Sequence, residues 1–393
     1  MPGIQLGDPG RFKPSRRFRR SYGHSDSSNL PPAPAMLYRS FHRILVCLLA
    51  FTATGCSVIG PEAIRGGRLA YNESVQITGD QELLLNIVRL RYRDTPTILQ
   101  IASINTQFNM ETRINGGTTI VSSAAENFNI SGTQSYYERP TISYRPVVGQ
   151  AFIQQMLEPV DEGKLSLLYN AGWPVDTLFG LTVQSINGIQ NAPGASGPTP
   201  ELDPDFRRFQ RVIHSFRDLQ RAGLLTVGRD ATSSQLRISP DVGLQQETAF
   251  IQKALGLDPE LIEYNIAQAA NTDRADTIAI VPRSLMSAMF YMSQGVDVPE
   301  GDIEDGRVFT AQYADGKPVD WQKETNNLFR VRTGWLAPTN AYVSVKYRDR
   351  WFYISDNDLS SKTTFALISQ LFAMQAGNIR NSGPVLTLPL GGG

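Results

Sequence analysis

The side chains able to do chemistry are few once the first 56 residues are set aside. Both cysteines, Cys47 and Cys56, lie there, and so do His24 and His42, which leaves His214 as the only histidine downstream. The chain after Cys56 therefore has no thiol for an internal disulfide, a cysteine nucleophile or a cysteine-ligated metal site. A serine–histidine–aspartate triad needs one histidine, whereas a multi-histidine zinc site is excluded. The sequence contains no Gly-x-Ser-x-Gly turn, no phosphate loop ending in Gly-Lys-Ser/Thr and no His-Glu-x-x-His pattern, and it implies no cofactor. Carboxylates are plentiful. Asp297, Glu300, Asp302, Glu304 and Asp305 gather in one segment, but their spacing is not that of a calcium-binding EF-hand loop, so a solvated acidic loop is expected. Asp356 and Asp358 resemble a site pair, yet they precede a helical stretch, where capping is the simpler role; paired acids can serve glycoside hydrolysis, but nothing in the sequence singles out a pair. His214 falls on a helix and reads as structural, and Trp173, Pro174 and Asp176 read as the rigid start of another helix.

The formal net charge is zero, but it is the sum of two unlike regions. Residues 1–56 carry eight basic side chains against Asp8 and Asp26; taking these from 37 basic and 37 acidic residues leaves 29 and 35, a net charge of −6 on the rest. A mildly acidic body argues against nucleic acid as a partner, because phosphate binding needs a basic surface. The 41% hydrophobic content is that of a globular protein able to bury a core.

Read from Met36, a short basic stretch is followed by an apolar run over 44–53 and then Thr54-Gly55-Cys56. This is the layout of a secretory signal peptide, with an apolar run too short to span a bilayer. The segment Ala53-Thr54-Gly55-Cys56 resembles the bacterial lipobox, with Ala53 standing where leucine is commonest. That resemblance implies cleavage between Gly55 and Cys56 and lipidation of Cys56. Each buried acyl methylene contributes about 0.8 kcal/mol, so several chains on one cysteine hold a protein firmly. Ser57 stands where the family places aspartate for inner-membrane retention, which implies sorting to the outer membrane, facing the periplasm. The stretch Glu82-Leu83-Leu84-Leu85-Asn86-Ile87-Val88-Arg89-Leu90-Arg91-Tyr92 is similar to predicted envelope lipoproteins of unassigned function and implies no activity. Residues 1–35 do not fit the signal and read as a mis-assigned start or a disordered basic leader.

The elements that must carry these residues follow from periodicity. Residues 57–67 read as a tether, and Asp80 as the N-cap of a helix with Leu83, Leu84, Ile87 and Val88 on one face. Ile104, Thr106, Phe108, Met110, Thr112 and Ile114 then alternate with polar residues, which predicts a strand with one apolar and one polar face. Asn115-Gly116-Gly117 reads as its hairpin turn and 118–130 as the return. Residues 148–222 read as helices, one opened by Pro174 and carrying Leu178, Leu181, Val183 and Ile186, another with Phe206, Phe209, Ile213, Phe216 and Leu219 on one face. Further on, strands are expected at 224–227, 235–238, 277–281, 342–347, 351–354 and 384–388. A helix capped by Ser284, an exposed acidic loop over 296–327 and a helix over 359–376 complete the pattern.

The order of elements predicts an α+β fold of mixed helices and short antiparallel sheets with one long N-terminal β-hairpin. The expected organisation is a leader (1–35), a signal peptide (36–55), a tether (56–67), a hairpin-plus-helical domain (68–222) and an α+β domain (223–393). The expected function is that of a non-catalytic, lipid-anchored envelope protein in a scaffold or assembly role, bound to the membrane through its lipid and to an envelope protein partner. An oligomeric export component inserting the 98–134 hairpin through Ile104, Phe108, Met110 and Ile114 is the alternative, since 9–11 alternating residues span an outer membrane when tilted. A periplasmic hydrolase or glycan-binding protein is the second alternative.

Overall fold

Leu84, Ile87 and Val88 are fully buried, as their spacing predicts, but the helix that carries them begins far upstream of Asp80. It is α1 (Ile59–Arg91), in a computed structural model that describes residues 59–121, 125–146, 150–192, 195, 206–229, 234–313, 316–325, 327–376 and 386–389. The helix passes through most of the stretch read as a tether and through Gly79-Asp80. A mid-helix glycine costs only about 1 kcal/mol, and an established helix gains one hydrogen bond per added residue, so the boundary signal at Asp80 is overrun. The chain divides into two units, Met1–Ala70 and Tyr71–Gly393, and the description below concerns the second.

Among the described residues, three sheets organise that unit. The largest has six strands, β3 (Val183–Ile186), β4 (Ile189–Gln190), β5 (Leu225–Arg229), β6 (Ser234–Ile238), β7 (Glu263–Gln268) and β8 (Thr277–Pro282), in the order β4-β3-β8-β7-β6-β5. All its neighbours are antiparallel except β7 and β8. Around it lie α2 (Gln150–Leu157), α3 (Glu162–Asn170), α4 (Val175–Thr182), α5 (Phe206–Arg221), α6 (Gln245–Leu255) and α7 (Leu285–Ser293). Phe206, Phe209, Ile213, Phe216 and Leu219 of α5 are all buried, the face its 3.6-residue period predicts. The helix expected to run from Pro174 through Ile186 instead stops at Thr182. Val183 and Ile186 continue as β3, where β-branched residues pair with Pro282 and Ile280. Strands from both sides of residue 222 share this sheet, so the expected boundary between 68–222 and 223–393 does not divide the core.

The segment 296–327 is largely exposed, as expected, but it is not all loop. It holds α8 (Glu300–Glu304) and α9 (Trp321–Glu324), and Val308, Ala311, Val319 and Trp321 are buried within it. The second sheet, β9 (Arg332–Gly334), β10 (Ala341–Tyr347) and β11 (Arg350–Ser355) in the order β10-β11-β9, packs beside α10 (Leu359–Ala376). Its tight turn is at Arg348-Asp349, both left-handed (φ 46° and 62°), which is the two-residue hairpin geometry that suits strand twist. The fold is α+β, with one long hairpin.

That hairpin forms the third sheet: β1 (Leu99–Val121), β2 (Ala125–Pro146) and β12 (Leu386–Pro389), in the order β1-β2-β12. The turn is not at Asn115-Gly116-Gly117. Those residues pair straight across with Ser131, Ile130 and Asn129, and the residues expected to begin the return strand, Thr118 to Val121, still belong to β1. Glycine permits a turn without requiring one, and the alternation continues through Thr118 and Ile120.

Candidate functional site

The hairpin is held at its root by α1. Asn86, buried on the last turns of that helix, clamps Thr97 with both ends of its amide: Nδ2 donates to the Thr97 carbonyl (2.9 Å), and Oδ1 accepts from the Thr97 N–H (3.0 Å). One turn earlier, the Glu82 carboxylate accepts from the Leu99 N–H, the first residue of β1. Burial raises the Glu82 carboxyl above its ordinary value, against the opposing effects of that N–H and of Arg89.

At and just past the end of α1, Arg91, Tyr92, Arg93 and Asp94 tie the root to distant parts of the body. Arg91 donates to Gln294 (3.2 Å) and to the Phe309 carbonyl (2.9 Å), and burial lowers its guanidinium to about 10, so it remains charged at neutral pH. The Tyr92 phenol donates to Asp302, whose other oxygen accepts from Arg307 at 2.6 Å. Arg93 lies over the Phe309 ring. Asp94 accepts from the Tyr347 phenol and, at 2.9 Å, from Arg348, whose guanidinium also stacks 4.8 Å from the centre of the Tyr92 ring. The stretch Glu82–Tyr92 is thus the socket of the hairpin. A groove of about 980 Å³ opens beside it, lined by Asp80, Glu82, Leu85, Lys346, Trp351 and Phe372 among others. Burial raises the Asp80 carboxyl there too, although Tyr342 donates to it and lowers it in part.

From the socket the two strands run 23 and 22 residues. At about 3.3 Å per residue, β1 extends on the order of 75 Å. The register pairs Ile104 with Ile142, Phe108 with Glu138, Met110 with Tyr136 and Ile114 with Gly132. Directly opposite residues share a face, so the register sorts the hairpin into two faces. One carries Asn105, Gln107, Asn109, Glu111, Arg113 and Asn115 opposite Thr141, Arg139, Tyr137, Ser135, Thr133 and Ser131, and is polar throughout. The other carries the four residues expected at a membrane or partner surface. It is broken by charge at Glu138 and Glu126, and between them residues 127–137 of β2 place no charge on that face.

The remaining candidates resolve into structure. Asp302 is engaged as above, Asp305 pairs with Arg307 (2.8 Å) and Asp297 with Arg330 (2.9 Å). Asp358 caps α10 by accepting from the Ser361 N–H, and Asp356 pairs with Lys362 at 2.7 Å. Among the described residues no group of three or more His, Cys, Asp or Glu side chains is placed to hold a metal ion. His214 donates from Nδ1 to the Gln210 carbonyl one turn back (2.6 Å), and it borders a polar cleft of about 300 Å³ with Asp176, Arg217 and Arg221. The Trp173 carbonyl accepts from Gln220, which in turn accepts from the Val175 N–H, so the start of α4 is bolted to α5. Cys56 and Gly55 lie outside the described residues.

Sequence reasoning passed over Arg283. Its side chain is fully buried and donates from Nη1 to the carbonyls of Gly180, Leu181 and Val183 and from Nη2 to that of Asn191, with its guanidinium 4.1 Å over the Tyr291 ring. A cation at the C-terminal end of α4 meets carbonyls that have no partner within the helix. Nothing local marks it, because every acceptor lies about 100 residues away. No helix among the described residues is long and apolar enough to cross a membrane. Compared with known proteins, the chain matches no family model, no curated protein and no solved structure.

Proposed function

We propose that this chain is a lipid-anchored component of the bacterial cell envelope, held at the outer membrane through Cys56, that works without catalysis in a scaffold or assembly role. The α+β body is the mount and the hairpin is the working arm toward an envelope protein partner. The observation that carries this reading is the contrast between the two parts. The root of the hairpin is fixed by Asn86, Glu82 and the Arg91–Asp94 network, while its strands run 23 and 22 residues and, among the described residues, pair only with each other and with β12.

A second reading, in which the hairpin enters the outer membrane as part of an oligomeric export component, draws support from the register. The interval 127–137 between Glu126 and Glu138 matches the 9–11 residues of a tilted membrane-spanning strand. Its mixed face carries Phe128 and Tyr136 near the two ends, and the opposite face is polar like a barrel lumen.

Fractionation of the wild-type and Cys56→Ala proteins with alkaline carbonate extraction tests both. Release of the variant into the soluble fraction supports a tethered body with its arm in the periplasm. Retention of the variant after carbonate supports insertion of the hairpin and removes the lipid as the main attachment. A wild-type protein that is soluble without any treatment overturns the envelope anchor.

A further inference from the structure

We infer that the free edges of the hairpin are a self-association surface, β1 of one copy pairing antiparallel with β2 of the next. This rests on the reading of the hairpin as the working arm and names its partner as a second copy of this chain.

Among the described residues, β1 pairs only with β2, and β2 has one further neighbour, β12. β12 covers, among the described residues, the root of that outer edge, Thr141 to Tyr144, with Pro389 meeting Thr141 next to Pro140, which has no N–H to offer. No third strand among the described residues pairs with β2 between Arg139 and Ala125, or with β1 along its outer edge.

Natural sheets blunt such edges with charged side chains, lysine above all, and with proline, bulges or brevity. Here β1 has 23 residues with no lysine and no proline, its charged residues are Glu111 and Arg113 at mid-strand alone, and its one irregularity lies at the root, between Ile101 and Ser103. Residues 125–139 of β2 likewise contain neither lysine nor proline, and their charges, Glu126, Glu138 and Arg139, stand at the two ends and leave 127–137 uncharged. Isolated two-stranded hairpins are marginal in water, and in a bilayer their unpaired backbone groups are costlier still. Each copy offers one β1 edge and one β2 edge running in opposite directions, so adding a neighbour repeats the antiparallel ladder already made within the hairpin. Such head-to-tail contacts close into a ring when the rotation allows. An isologous β1-to-β1 contact would leave the β2 edges bare.

The test is cysteine crosslinking of the full-length chain in the envelope, with the parent chain controlling for Cys47 and Cys56. Asn105→Cys, Asn109→Cys and Arg113→Cys sample β1, and Asn129→Cys, Thr133→Cys and Tyr137→Cys sample β2. Each β1 variant is co-expressed with each differently tagged β2 variant and treated with a short bismaleimide. The double variant Asn109→Cys/Tyr137→Cys, opposite each other in the register, must crosslink within one chain and so reports that the hairpin is formed. The expected result is a mixed product carrying both tags from at least one β1–β2 combination, lost when either variant is expressed alone. Products from one variant alone indicate an isologous contact and overturn the proposal. Crosslinks only to a protein of another mass overturn it while leaving the hairpin as a working arm. No product with any protein, from a hairpin shown to be formed, overturns both.

Discussion

The phenol of Tyr92 donates a 2.6 Å hydrogen bond to the carboxylate of Asp302, joining two residues 210 positions apart and closing the socket from which the hairpin springs. Asp302 is largely buried, and Arg307 completes its coordination. Tyr92→Phe keeps the ring under Arg348 but removes the donor. The expected loss is about 1–2 kcal/mol, because a buried charged acceptor loses one of its partners. The urea midpoint of the variant checks it. A midpoint equal to that of the wild type would show that Arg307 alone satisfies Asp302.

Acid should act on the root in two opposed ways. Burial alone would raise the carboxyls of Asp94 and Asp302. Hydrogen bonds from Tyr347 and Arg348 to the first, and from Tyr92 and Arg307 to the second, outweigh it and hold both below the usual carboxylate value. The unfolded chain then binds protons before the folded one, so their contribution is complete above about pH 4 and is lost as the pH falls through the folded values. Asp80 and Glu82 are raised by burial, so the folded chain binds protons first, and stability falls as the pH rises through the range just above about 4. Urea midpoints measured across this range should rise on mild acidification and then drop. Glu82→Gln should diminish the rise, and Asp94→Asn with Asp302→Asn the drop.

Arg283 is expected to be intolerant of even its closest replacement. Arg283→Met leaves the carbonyls of Gly180, Leu181, Val183 and Asn191 without these donors in the core, for a loss of about 3 kcal/mol or more. Arg283→Lys recovers only part of it, since one ammonium cannot reproduce a planar fork. Burial beside it pushes the Tyr291 phenol up to about 12, while the guanidinium cation draws it back down in part. Chemical denaturation of the two variants checks the ranking, and equal stability of Lys and Arg would refute it.

Gly295 is required for space. A Cβ there would collide with the Phe329 carbonyl and stand 3.3 Å from the Met292 carbonyl, both main-chain atoms that cannot swing aside. The close approach serves the pairing of the Gly295 carbonyl with the Val331 N–H at 2.9 Å. Gly295→Ala is expected to cost about 1–3 kcal/mol through the forced backbone shift. A thermal melt unchanged by this substitution would contradict that.

What could be read from the chain in order is what is decided within a few residues. The Ser284 side chain accepts from the Ser287 N–H, Arg348-Asp349 turns β10 into β11, and the α5 stripe from Phe206 to Leu219 faces the core. In each case the hydrogen bond or the apolar period closes locally, so residue type and spacing suffice. The alternation from Ile104 to Ile114 marked a strand for the same reason, whereas its true length did not emerge, because glycines at 116 and 117 fit a turn and a ladder equally well until β2 chooses the register. The parallel pairing of β7 with β8, the burial of Val308, Ala311, Val319 and Trp321 within 296–327 and the carbonyl cage around Arg283 were settled only by tertiary structure. Their partners lie far along the chain, and a residue's local preference of about 1 kcal/mol yields to the burial and pairing that distant segments supply.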